Sequence, residues 1–144
     1  MVENLTRRTG GCLCGAIRFE TMGTPLSIGH CHCRLCQRAT GAPLVTWAIF
    51  PVSAVTMTRG TPQTFRSSAK AERGFCAACG TQLTFRYSEG PAEIDLTVAS
   101  FDDPTDLAPQ YAIWASSRLP WLRCDPQLAH YDDDGPDWSP YRSA

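Results

Sequence analysis

What is scarce in this chain narrows its class before any motif is read. Lys70 is the only lysine among 13 basic residues, and 14 acidic residues leave a net charge of −1. No field of one sign is available to steer the chain toward nucleic acid or an anionic membrane surface. No window approaches the roughly 18 apolar residues of a membrane-spanning helix. Residues 1–10, which include Arg7 and Arg8, lack the apolar stretch of a signal peptide. We therefore expect a cytoplasmic protein with neither nucleic-acid nor membrane partners. Repeats, low-complexity tracts and linkers are also missing, so the 144 residues read as one domain able to bury a core without disulfides. Helical pattern is scarce too: the one candidate is Arg34–Thr40, ended by Gly41 and Pro43.

Glycine and proline, 11 each, instead punctuate short segments in the manner of an all-β protein. Strands are expected at 16–21, 26–31, 44–50, 55–58, 64–67, 72–76, 82–87, 93–99 and 111–115. In Glu93-Ile94-Asp95-Leu96-Thr97-Val98, for example, the apolar residues fall on one face. Beyond Arg123 the chain turns acidic, with Asp132, Asp133 and Asp134 ahead of Gly135-Pro136. The expected division is a domain over 1–124 and a tail over 125–144. That tail packs on the domain or trails from it, docking Trp138 or Tyr141.

Cysteine is what the chain has in unusual supply. Seven of eight fall into three groups: Cys12 and Cys14; Cys31, Cys33 and Cys36; Cys76 and Cys79. In a reducing compartment such clusters are metal ligands or redox centres more often than disulfides. On an extended strand alternate residues share a face, so Cys12 and Cys14 can offer both sulfurs to one ion, and so can Cys31 and Cys33. Cys76-x-x-Cys79 has the spacing of a tight knuckle, followed by Gly80, where glycine can take positive φ and turn amides toward the sulfurs. The two outer pairs together make a closed four-thiolate site. The central three make a site with one open position, for water, a substrate thiol or a further residue. A redox trio with a Cys33–Cys36 bridge, or a second structural site, stands beside that reading. On an extended strand His30 and His32 point away from Cys31 and Cys33, so they orient or shield the site in preference to ligating. His130 is not expected as a ligand, and Cys124 reads as a lone packed or surface thiol.

Three segments carry a family resemblance. They are Gly11-Cys12-Leu13-Cys14-Gly15, then Cys31-His32-Cys33-Arg34-Leu35-Cys36, then Arg73-Gly74-Phe75-Cys76-Ala77-Ala78-Cys79-Gly80-Thr81-Gln82-Leu83. In this order they closely resemble the glutathione-dependent formaldehyde-activating enzyme family, which includes the centromere protein V domain. The likeness spans about residues 8–122. It implies an Mss4-like fold of small antiparallel sheets with one short helix. It further implies a structural zinc on Cys12, Cys14, Cys76 and Cys79, and a second, catalytic zinc on Cys31, Cys33 and Cys36. The implied activity is that of a carbon–sulfur lyase joining or releasing a small thiol such as glutathione and an aldehyde such as formaldehyde. One position departs from the family: many members carry a histidine where this chain has Ala112.

The two carboxylates of glutathione suit arginine, and Arg34, Arg38 and Arg73 lie near the cysteines. Each of the three is expected as an exposed residue on a cysteine loop, and Trp47 and Phe50 as core-strand residues. Two other readings compete with the lyase: a non-catalytic zinc-binding interaction module, and a thiol redox or zinc-buffering protein.

Overall fold

A computed structural model describes residues 5–135. Among these residues the strands are β1 (Arg7–Gly11), β2 (Arg18–Met22), β3 (Ser27–Cys31), β4 (Val45–Pro51), β5 (Val55–Arg59), β6 (Gln63–Ser68), β7 (Ala71–Phe75), β8 (Gln82–Tyr87), β9 (Glu93–Thr97), β10 (Tyr111–Ile113) and β11 (Ala129–His130). One α-helix, α1 (Arg34–Thr40), separates β3 from β4. The smaller sheet has the order β1-β2-β5, and the larger runs β11-β10-β3-β4-β9-β8-β7-β6. Pairing is antiparallel except that β10 runs parallel to both β3 and β11. No helix among the described residues is long and apolar enough to cross a membrane.

The near-continuous apolar run of β4, Val-Thr-Trp-Ala-Ile-Phe-Pro, follows from its position, since it is covered on both faces. Ala48 and Phe50 point into the main core between the sheets, while Val45 and Trp47 point the other way and pack with Cys31 and Cys36. The main core takes Phe19 from β2, Leu83 from β8 and Leu96 from β9, all at most 1% exposed. Each such side chain contributes about 2 kcal/mol by leaving water. Phe19 stands edge-on to Phe101 with ring centroids 5.0 Å apart. The backbone crosses so close here that a Cβ on Gly10 would lie 2.4 Å from the Phe19 ring and 2.5 Å from the Ser100 carbonyl oxygen. Glycine is therefore required at position 10.

Asp102 ties the smaller sheet to the larger. Its carboxylate accepts hydrogen bonds from both terminal nitrogens of Arg18 and, at 2.6 Å, from the Thr9 hydroxyl. Arg18 first, and Thr9 second, hold this carboxyl down to about 2 from the usual 3.8. A depressed carboxyl stabilises the fold fully above its unfolded value and loses that contribution as pH falls toward its folded value. The side chain is 48% exposed, so the effect is a screened one of about 0.5–1 kcal/mol. Asp102→Asn should accordingly lower the unfolding free energy by that amount above about pH 5. Its difference from the native protein should shrink toward zero between about pH 4 and pH 2. A difference that does not change with pH would refute the assignment.

Two strands lie outside the sequence expectation. β1 reads Arg-Arg-Thr-Gly-Gly, with no apolar alternation to reveal it, and β11 is two residues long. Two expected strands end early: β9 gives way to a 3₁₀ turn at Val98–Ser100, and β10 stops at Ile113 because Trp114 adopts a left-handed conformation, φ 54°. The Tyr131 amide donates to the Ala112 carbonyl, and the Trp114 and Ala115 amides donate to the carbonyls of Asp133 and Tyr131, so this part of the C-terminal segment lies against β10. Trp138 and Tyr141 lie outside the described residues.

Candidate metal centres

Two turns far apart in the sequence bring the outer cysteines together. Cys12 and Cys14 occupy the turn between β1 and β2, and Cys76 and Cys79 the turn between β7 and β8. All four Sγ atoms lie within 4.8 Å of one another. Cys14 stands 3.6 Å from Cys12 and 3.8 Å from Cys76. Thiolates around a tetrahedral ion with bonds of about 2.3 Å stand roughly 3.8 Å apart, whereas a disulfide would draw two sulfurs to about 2 Å. The donor set and spacing thus fit a metal ion.

The first pair corrects the sequence reading in one respect. Cys12 and Cys14 do not alternate along a strand, because β1 ends at Gly11 and the chain turns, with Gly15 at φ 80° donating its amide to the Cys12 carbonyl. The Ile17 amide donates to Cys12 Sγ at 3.2 Å. Gly80 does the equivalent in the second turn at φ 78°, donating to the Cys76 carbonyl at 2.8 Å. Thr81 joins the two turns: its hydroxyl accepts the Leu13 amide at 3.0 Å and lies 3.2 Å from Cys79 Sγ. The Thr81 hydroxyl and amide, with the Cys14 amide, lower the Cys79 thiol to about 5, which favours the ligating form.

The central cysteines form the second cluster. Cys31 is the last residue of β3; Cys33, extended at φ −60° and ψ 146°, caps α1; Cys36 lies in its first turn. Cys33 Sγ accepts the Cys36 amide at 3.2 Å, and the three Sγ atoms lie within 4.8 Å of one another. Hydrogen bonds from Cys31 and Cys36, with the Cys36 amide and the charge of Arg73, bring Cys33 down to about 2. The shared contact with Cys33, then that with Cys36 and burial, push Cys31 up. Among the described residues no fourth histidine, cysteine or carboxylate joins this group. The buried His32 ring instead places Nε2 3.8 Å from Cys124 Sγ, His30 bonds Thr46 at 2.8 Å, and His130 bonds the Asp125 carbonyl at 2.9 Å.

A cavity of about 390 Å³ adjoins these three sulfurs, with Trp47, Arg73 and Phe85 among its walls. A second cavity of about 380 Å³ shares Tyr87, Asp95 and Ile113 with it. Arg73 is the residue that sequence reasoning misplaced. It lies in β7, within the strand expected at 72–76, but it is 4% exposed where an exposed residue was expected. Strand register sets it beside Phe85, and its guanidinium lies 5.1 Å above that ring. Both terminal nitrogens point at Cys36 Sγ, at 3.5 and 3.6 Å, while the buried Nε–H has no hydrogen-bond partner among the described residues. A buried donor left unmet costs about 1–3 kcal/mol. Arg34 and Arg38 are exposed, as expected, and Arg34 bonds Gln37. Trp47 is both a strand residue and a wall of the cavity, whereas Phe50 stays in the core.

Position 112 also takes on a definite meaning. Ile113 pairs with Cys31 and faces the cavity, and Tyr111 covers Gly29 on the same side. The fully buried Ala112 between them must point to the opposite face of the sheet. A histidine there would not point toward the three thiols.

Fold and clusters together define a small, mostly β protein with two groups of thiols able to hold metal ions. The model of the glutathione-dependent formaldehyde-activating enzyme family matches residues 7–117, and the chain belongs to that family. An uncharacterized lyase of Schizosaccharomyces pombe is 32% identical over 81 residues, covering 56% of this chain. The match spans 58% of that relative's length. A crystal structure of a Rhodobacter sphaeroides protein superposes with a TM-score of 0.54 at 21% identity, covering 85% of this chain and 98% of the other. That likeness is one of fold.

Proposed function

We propose that the protein is a zinc-dependent carbon–sulfur lyase that joins a small thiol, glutathione or a close relative, to formaldehyde or another small aldehyde, and releases them in reverse. The observation that carries this reading is the three-thiol cluster, joined by no fourth protein ligand among the described residues and set against a cavity. Cys12, Cys14, Cys76 and Cys79 would hold a structural zinc, and Cys31, Cys33 and Cys36 a second one. The second ion supplies one piece of chemistry: a thiol that coordinates it is deprotonated at neutral pH, when a free thiol is mostly protonated.

The chain's own residues do the rest. Cys31 and Cys36 are fixed by packing against Val45 and Trp47, and Cys33 by the α1 cap, so the three sulfurs are set before substrate arrives. Trp47, Phe85 and Ile113 wall the cavity with apolar surface and limit the water that competes with a thiol. The adjoining cavity gives an extended thiol such as a tripeptide room beyond the sulfur. In the forward direction the sulfur bonds to the aldehyde carbon, the carbonyl π bond opens, and the oxygen gains the proton that the sulfur gave up.

The test is an exchange measurement by NMR on glutathione mixed with ¹³C-labelled formaldehyde. The metal-loaded protein should speed exchange between free formaldehyde and the hydroxymethyl thioether well above the spontaneous rate, and chelation should remove the effect. Spontaneous exchange alone, in protein shown by native mass spectrometry to carry two zinc ions, would sink the proposal. It would leave the non-catalytic zinc module in its place.

A further inference from the structure

The least expected feature of the central cluster is a buried cation fixed against one of its sulfurs. Arg73 cannot retreat to solvent, because β7 and β8 position it and the Phe85 ring lies beneath its guanidinium. Two of its nitrogens engage Cys36, and the Nε–H stays buried with no partner among the described residues. The guanidinium thus contributes charge to the wall of a cavity beside the three sulfurs. Arg34, which also lines the cavity, is exposed and bonded to Gln37, so its charge is screened by water.

We propose that Arg73 determines what occupies the open position, making it take an anionic sulfur ligand in preference to a neutral one. The inference rests on the reading that Cys31, Cys33 and Cys36 hold a divalent ion. Such an ion with three thiolates carries one net negative charge, which water or imidazole leaves unchanged and a fourth thiolate doubles. Confining that second negative charge in a poorly hydrated cavity is unfavourable unless a fixed cation stands beside it. Arg73 supplies that cation, its two terminal nitrogens being in contact with Cys36 Sγ. Its hydrogen bonds to Cys36 also draw charge from that sulfur, as partners of metal ligands do. Arg73 is on this account a positioning and specificity residue whose effect is felt by the charge of the ligand.

The experiment uses protein with zinc in the four-cysteine cluster and cobalt(II) in the three-cysteine cluster. It is titrated with 2-mercaptoethanol, a thiol without a carboxylate, and separately with imidazole. Each is followed by cobalt absorption, the thiol through a new sulfur-to-cobalt charge-transfer band. Arg73→Met should weaken 2-mercaptoethanol by roughly tenfold or more and leave imidazole binding unchanged. Arg73→Lys should retain most of the preference for the thiol. If Arg73→Met does not fold, Arg73→Gln, which keeps donors and bulk without charge, takes its place. Unchanged thiol affinity, or equal loss of both ligands, overturns the proposal, the second because a structural role would produce it. Native protein that loads no cobalt at the three cysteines overturns both this proposal and the reading beneath it. A charge-dependent thiol preference without any glutathione–formaldehyde exchange overturns only the proposed reaction.

Discussion

Cys79→Ser is expected to abolish cooperative folding, or to lower the melting temperature by tens of degrees, although it changes one atom at a partly exposed position. Cys79 makes the sharper test because its neighbour Cys76 is only 1% exposed and belongs to the core. A Cys76 substitution would confound loss of a ligand with loss of packing. The four outer cysteines clip together turns separated by 62 residues, counted between Cys14 and Cys76. Closing a loop of that length by a cross-link is worth about 4 kcal/mol in the chain-entropy model. A structural zinc contributes still more, apparent values in small zinc domains being about 10–16 kcal/mol. Net domain stabilities are only about 5–15 kcal/mol, so losing one of four ligands removes most of the margin. Thermal unfolding followed by circular dichroism, with zinc counted by native mass spectrometry, decides the matter. A variant that melts within about 5 °C of the native protein would show that the outer cluster does not hold the fold. Chelation of the native protein should reproduce the variant's behaviour.

The parts of this molecule that could be read from sequence are those whose causes are local. Arg34–Thr40 is legible because Gly41 and Pro43 stop the helix, and Gly41 closes it at φ 66° with its amide on the Gln37 carbonyl. β4 and β8 announce themselves by apolar content, and the cysteine groups by their spacing. The rest depends on partners distant in the chain. β1 forms because β2 pairs with it, and its polar sequence carries no pattern of its own. β10 joins β3 in parallel across 82 residues, with Tyr111 opposite Gly29, and nothing near residue 111 specifies that partner. Arg73 was misplaced for a comparable reason. Glu72 and Arg73 are both charged, so apolar alternation along the expected strand gives no sign of which one faces inward. Its burial is decided by Phe85 on β8 and Cys36 on α1, elements that sequence proximity does not connect. The left-handed Trp114 at the cavity rim was equally unreadable, since its amide is held by the Asp133 carbonyl.

Cys36→Ser should behave oppositely to Cys79→Ser: folded, one zinc short, and nearly inactive. Cys36 is 3% exposed, but it sits in a small cluster with Val45 and Trp47, apart from the main core. Serine is close to cysteine in size, keeps the Cys36 amide on Cys33 Sγ that caps α1, and offers Arg73 an oxygen to bond. The cost in stability should be about 1–2 kcal/mol, the usual range for a nearly isosteric buried change, and the four outer thiols stay intact. The chemical cost is far larger. A hydroxyl is a poor ligand beside two thiolates, so the second metal is lost or weakly held. Without it an incoming thiol arrives mostly protonated and loses its advantage as a nucleophile. Turnover of glutathione and formaldehyde should fall at least about a hundredfold, near 2.7 kcal/mol of transition-state stabilisation. Melting temperature, zinc count and exchange rate measured on the same sample separate the possibilities. A variant that keeps full exchange with one zinc would refute a catalytic role for the central cluster. One that melts as low as Cys79→Ser would make both clusters structural, and the open position would then be no evidence for catalysis.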